Sequence, residues 1–106
     1  MIRVMVRYKV RADETAANER AIQDVFAQLA ERQPPGIEYA SFKLDDGVSF
    51  VHFFSGEAED DRHALRALPA FQTFAAGVRE RCEEQPVVTQ LTEVGSYRAS
   101  SVGIGT

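Results

Sequence analysis

The chain has no tryptophan, one cysteine and a single asparagine, and these scarcities exclude whole classes of protein. One cysteine, Cys82, cannot build an internal disulfide framework, and its presence suits a reducing cytoplasm. There is no basic excess either. Twelve Lys and Arg against sixteen Asp and Glu leave a net charge of −4, the wrong sign for a nucleic-acid surface. No apolar run approaches the roughly 20 residues that cross a bilayer. The opening MIRVMVRYKV alternates in character and reads as a strand rather than a signal or transit peptide. No glycine-rich phosphate loop, zinc-ligand spacing or internal repeat occurs. What remains is an ordinary globular composition for one domain over residues 1–97, with a serine- and glycine-rich segment, 98–106, expected as a flexible tail.

The segment FKLDDGVSFVHFF, Phe42 to Phe54, organises the rest. Two strand-forming runs meet at Asp46-Gly47, a hairpin signal in which both loop residues take positive φ. With that two-residue loop, Lys43 faces Phe50, Ser41 faces His52 and Tyr39 faces Phe54 on one side of the sheet. Ala40, Phe42, Leu44, Ser49, Val51 and Phe53 occupy the other. The second side is the more apolar, so it is expected against the helices. A loop starting at Asp45 would slip the register and undo this sorting.

Residues 2 to 10 alternate strictly, with Ile2, Val4, Val6, Tyr8 and Val10 on one side and Arg3, Met5, Arg7 and Lys9 on the other. The basic row either faces water or lines a cleft for an anionic ligand. A helix follows, with Asp13 or Thr15 as N-cap and an apolar stripe of Ala17, Ala21, Ile22, Val25, Phe26 and Leu29. Pro34-Pro35-Gly36 ends it. Residues 56 to 62 read as an acidic loop whose spacing does not suit calcium, so no metal is expected there. Leu65, Leu68, Phe71, Phe74, Val78 and Cys82 then repeat at helical spacing, with Pro69 in the first turn of the main helix and 64 to 68 as a short turn before it. Cys82 is expected in the core. A last strand begins at Pro86.

The order β–α–β–β–α–β gives an α+β, ferredoxin-like domain: a four-stranded antiparallel sheet with two helices on one face. The other face would then expose Tyr39, Phe50 and Phe54 beside the basic row. An aromatic cluster of that size calls for cover, most simply a second copy of the chain.

The element order, the strand FVHFF and the helix LRALPAFQTFAAGV resemble the dimeric α/β-barrel superfamily, and within it the antibiotic-biosynthesis-monooxygenase-like proteins. The likeness spans Ile2 to Tyr97. It implies a homodimer and a cleft between sheet and helices, which in some members oxidises polycyclic phenols without a cofactor and in others binds and degrades haem. Catalytic members use a tryptophan near the end of the third strand, and none is present here. They also use an asparagine in or near the cleft; the sole candidate, Asn18, is expected to face solvent. Haem-degrading members carry a histidine on the second helix, whereas His63 is expected just before it, at the surface. The family's catalytic sets therefore do not transfer, and no cofactor is expected.

Two readings of the cleft stay open. In one, the protein is a cytoplasmic enzyme or binding protein for a small aromatic or acidic molecule. His52 is then the catalytic base, Tyr39 and Ser41 supply hydroxyls, Arg7 and Lys43 anchor an anion, and Phe50 and Phe54 pack on the ligand. In the other, the same residues knit a non-catalytic dimer, with His52 a structural histidine bonded to Ser41 or to backbone. No acidic third partner for Ser41 and His52 stands out, which argues against a nucleophilic triad.

Overall fold

A computed structural model describes residues 1–97; the segment expected as a tail, 98–106, lies outside the described residues. Strand β1 (Ile2–Val10) leads through a single 3-10 turn, Ala12–Glu14, into helix α1 (Thr15–Arg32). Strands β2 (Ile37–Lys43) and β3 (Ser49–Gly56) form the hairpin. Helices α2 (Glu59–Arg66) and α3 (Pro69–Arg81) precede β4 (Cys82–Gln90). The four strands pair antiparallel in the order β2-β3-β1-β4, the ferredoxin-like arrangement.

The hairpin register is the expected one: Tyr39 opposite Phe54, Ser41 opposite His52, Lys43 opposite Phe50. The loop chemistry differs. Only Gly47 takes positive φ, at 77°, and the Gly47 amide bonds the Leu44 carbonyl at 3.0 Å. Asp46 stays at negative φ and contributes its carboxylate instead. That group accepts from the amides of Val48 (3.0 Å) and Ser49 (2.8 Å) and from the Ser49 hydroxyl (2.5 Å). These bonds, the hydroxyl's foremost, hold the Asp46 pKa down at about 2.

The sheet's two faces are the reverse of expectation. In β1–β3 pairing, Val4 meets Phe54, Val6 meets His52 and Tyr8 meets Phe50, so the apolar row of β1 shares a side with the hairpin's aromatic row. That side packs on the helices. Val4, Tyr8, Phe50 and Phe54 join Val25 of α1, Leu65 of α2 and Phe74 and Val78 of α3 in one buried core. Tyr39, Phe50 and Phe54 are therefore covered by helices and are not the open aromatic face. The open face carries Arg3, Met5, Arg7 and Lys9 of β1 with Phe42, Val51 and Phe53 of the hairpin. The physical reason is volume: three large rings beside Tyr8 bury more apolar surface than the Ala40–Phe42–Val51–Phe53 side can.

Three further differences are local. The acidic stretch is helical from Glu59, because the Asp61 carboxylate reaches back to the amides of Glu57 (2.7 Å) and Ala58 (3.1 Å) and satisfies the first turn. His63 accordingly sits within α2, exposed. Helix α1 starts with no side-chain cap from Asp13 or Thr15, the 3-10 turn preceding it instead, and closes on Gln33 in the left-handed region (φ 46°). Strand β4 begins at Cys82, four residues before Pro86. As an edge strand it tolerates a proline, and its pairing with β1 shifts register around Lys9.

Candidate functional site

Between the covered face of the sheet and helices α2 and α3 lie two adjoining cavities of about 180 Å³ and about 170 Å³. Both are lined by Val6, Tyr39 and Phe71. The first reaches His52, Tyr8 and Phe74, with Arg79 and Pro86 toward one side. The second is bounded by Phe54, Leu65 and Val88, with Arg62 and Arg66 from α2. The walls are mostly apolar, with a few converging polar groups, as small-molecule sites are built.

The polar floor is a chain of side chains drawn from five elements, β1, α1, β2, β3 and α3. His52, only 3% exposed, lies between the rings of Tyr8 and Tyr39 at centroid distances of 5.3 and 5.8 Å. Its Nε2 meets the Tyr8 hydroxyl at 2.8 Å, and its Nδ1 meets the Ser41 hydroxyl at 2.6 Å and that of Tyr39 at 3.0 Å. Beyond Tyr8 stands Asn18, fully buried, whose Nδ2 donates to the Tyr8 oxygen at 2.8 Å. Asn18 Oδ1 in turn accepts from Arg81 Nε at 3.1 Å. The Arg81 guanidinium lies 5.9 Å from the centre of the Phe74 ring.

Burial governs the protonation states. It lowers the His52 pKa to about 4, so the imidazole is neutral at pH 7. The same desolvation pushes both tyrosines up: Tyr8 despite the bond from Asn18, and Tyr39 despite a bond from Ser41. Both stay phenols at neutral pH. Burial also raises the Cys82 thiol, which is therefore inert as a nucleophile near neutrality.

The residues singled out in the sequence divide into three groups. Tyr39, Ser41 and His52 come together as expected. Phe54 lines the second cavity, and Phe50 supports the first from behind, stacked on Tyr8 at 5.6 Å. Arg7 and Lys43 do not reach the site. Arg7 pairs with Val51 and Val87 on the open face, so a whole sheet separates it from His52. Lys43 lies at the sheet edge in an ion pair with Glu19 of α1, at 2.6 Å. Neither depresses His52; desolvation does.

Three participants were not assigned to the site from the sequence. Asn18 was expected in solvent, yet 18, 22, 25 and 29 form a single helical stripe, so its place among apolar positions was the available signal. Arg81 continues the stripe of Phe74 and Val78 in the same way. Arg79 lines the first cavity and Arg62 and Arg66 the second, so the cations beside the cavities come from the helices and not from Arg7 or Lys43. Among the described residues no group of His, Cys, Asp and Glu has metal-binding geometry.

No protein-family model and no curated protein matches the chain. Solved structures do. An antibiotic biosynthesis monooxygenase superposes at TM-score 0.76 with 11% identity, over 90% of this chain and 100% of its own. Rv0793 from Mycobacterium tuberculosis gives 0.74 with 20% identity, over 90% of this chain and 96% of its own. SnoaB, a cofactor-independent oxygenase from Streptomyces nogalater, gives 0.68 with 20% identity, over 90% of this chain and 94% of its own. The chain thus has the ferredoxin-like fold of the antibiotic-biosynthesis-monooxygenase-like proteins, as the sequence resemblance implied.

Proposed function

We propose that the cavity beside His52 binds a small aromatic molecule carrying an oxygen or acidic substituent, in the manner of a monooxygenase-like protein. The observation that carries this reading is the meeting of an apolar, ring-lined cavity with one buried chain of hydrogen bonds. Tyr39 stands where the two meet. Its hydroxyl is the ligand's polar contact, Arg79 is the counter-charge for an acidic group, and Phe71 and Phe74 pack on the ring. His52 contributes its ring edge, because both nitrogens are engaged within the protein.

Tyr39→Phe tests this with 1-naphthol as the probe and naphthalene as its apolar control. A net hydrogen bond is about 0.5–1.5 kcal/mol, so the substitution should weaken naphthol binding by about two- to tenfold and leave naphthalene unaffected. Titration by intrinsic fluorescence or calorimetry reads both. Failure of the parent protein to bind either compound removes the cavity reading.

A second reading, a binding module without catalysis, is favoured by one specific feature. Among the described residues no carboxylate lines either cavity, and the His52 imidazole has no free acceptor, so no general base among them faces the ligand. Oxygen uptake with a polycyclic phenol and no added cofactor separates the two: uptake abolished in Tyr39→Phe supports an oxygenase, while binding without uptake supports the module.

The open sheet face supports a homodimer. Phe42 is 42% and Val87 62% exposed there, beside the half-buried Met5, Val51 and Phe53. Sedimentation at micromolar concentration should give twice the chain mass. Phe42→Asp, a charge placed on that face, should shift it to one chain mass without unfolding it. A monomeric parent sinks the dimer. Among the described residues no helix is long and apolar enough to cross a membrane. We place the protein in the cytoplasm on its one reduced, buried thiol.

A further inference from the structure

The hydrogen-bond chain behind the cavity has a direction, and one residue at its far end sets it. Arg81 can only donate, since a guanidinium has no acceptor atom. The atom of Asn18 facing Arg81 Nε at 3.1 Å is therefore its carbonyl oxygen, and the amide nitrogen faces Tyr8 at 2.8 Å. The Tyr8 oxygen receives that bond, which leaves its own proton to be donated to His52 Nε2, 2.8 Å away. Nε2 is then the lone-pair nitrogen and Nδ1 carries the hydrogen. Nδ1–H is shared between the Ser41 oxygen at 2.6 Å and the Tyr39 oxygen at 3.0 Å, both of which accept. With that oxygen already accepting, the Tyr39 hydrogen is free to point into the cavity.

The geometry points to Arg81 and Asn18 as positioning residues that lock His52 in the Nδ1–H tautomer and so make Tyr39 a hydrogen-bond donor to the ligand. The consequence for the ligand rests on the cavity reading given above; the tautomer itself does not. Neither residue touches the cavity. Arg81 comes from the end of α3 and Asn18 from the first turns of α1, so the packing of these two helices against each other is what aims the chain.

Asn18→Asp is the decisive variant, because it keeps the shape and reverses the logic. A carboxylate accepts from Arg81 and from the Tyr8 hydroxyl alike. Tyr8 would then present its oxygen, not its proton, to His52, and the imidazole would answer by moving its hydrogen to Nε2. Long-range proton–nitrogen correlation spectra in mildly alkaline buffer read the two ring nitrogens directly, with no ligand present. The expected result is mainly Nδ1–H in the parent and mainly Nε2–H in Asn18→Asp. An Nε2–H parent, or a variant with unchanged nitrogens, overturns the assignment. Should Asn18→Asp fail to fold, the parent spectrum decides by itself. The affinity of 1-naphthol is measured on the same samples. Inversion of the tautomer with a loss matching that of Tyr39→Phe supports both the lock and its purpose. Inversion with affinity unchanged keeps the lock and removes the cavity reading.

Discussion

Acidification from neutral pH should cost the fold about 3 kcal/mol by the time pH 4 is reached, most of it from one side chain. His52 has a pKa of about 4 in the folded protein against 6.5 for the free group. The sign follows from which state takes up the proton. Below 6.5 the unfolded chain protonates its imidazole while the folded chain does not, so unfolding gains a proton and stability falls. Above that value both states are neutral and the contribution is flat. Below about 4 the folded imidazole also protonates and the loss levels off. Urea unfolding at a series of pH values should show this slope, and His52→Gln should flatten it. Asp46 titrates lower, losing its contribution as pH falls from 3.8 toward 2, so the two steps separate. A parent whose stability is level between 6.5 and 4 would mean that His52 is not desolvated.

Phe74→Ala should carry the other large effect, a loss of about 3–5 kcal/mol in unfolding free energy. The ring is buried against Tyr8 (6.4 Å), His52 (5.5 Å) and Phe71 (6.2 Å), with the Arg81 guanidinium on its face. Removing it strips packing from both the core and the hydrogen-bond chain. It also enlarges the cavity beside His52, so a bulkier aromatic probe such as 1-hydroxyanthracene should gain affinity relative to 1-naphthol. Stability within about 1 kcal/mol of the parent would show that the site collapses around the gap, as well-relaxed cavities can.

The hairpin, the element order and the apolar stripes were legible in the sequence because each is a local pattern of period two or near four. Which face of the sheet the helices cover was not. That depends on the pairing of β1 with β3, set by contacts between residues almost fifty positions apart. A slip of one residue in that pairing would move Val6 away from His52 and exchange the faces. Reading the hairpin alone, its Ala40–Phe42–Val51–Phe53 side looked the more apolar. Reading it together with the row of β1 that ends in Tyr8 reverses the choice. The site was half visible for the same reason. Tyr39, Ser41 and His52 are cross-strand neighbours in one hairpin, whereas Asn18 and Arg81 reach them from helices whose docking no local pattern specifies.

Strand β4 has a consequence for how copies of this chain can meet. Pro86 deprives its outer edge of one amide, Glu83 and Glu84 put two carboxylates beside it, and the irregular pairing around Lys9 twists it. An edge built this way is a poor template for an added strand, whether from a neighbouring copy or from a growing fibril. Continuous sheet extension across β4 is thereby discouraged, and the open sheet face around Phe42 and Val87 is left as the adhesive part of the molecule. Crowded solutions of the protein should then favour closed, countable assemblies over open-ended ones.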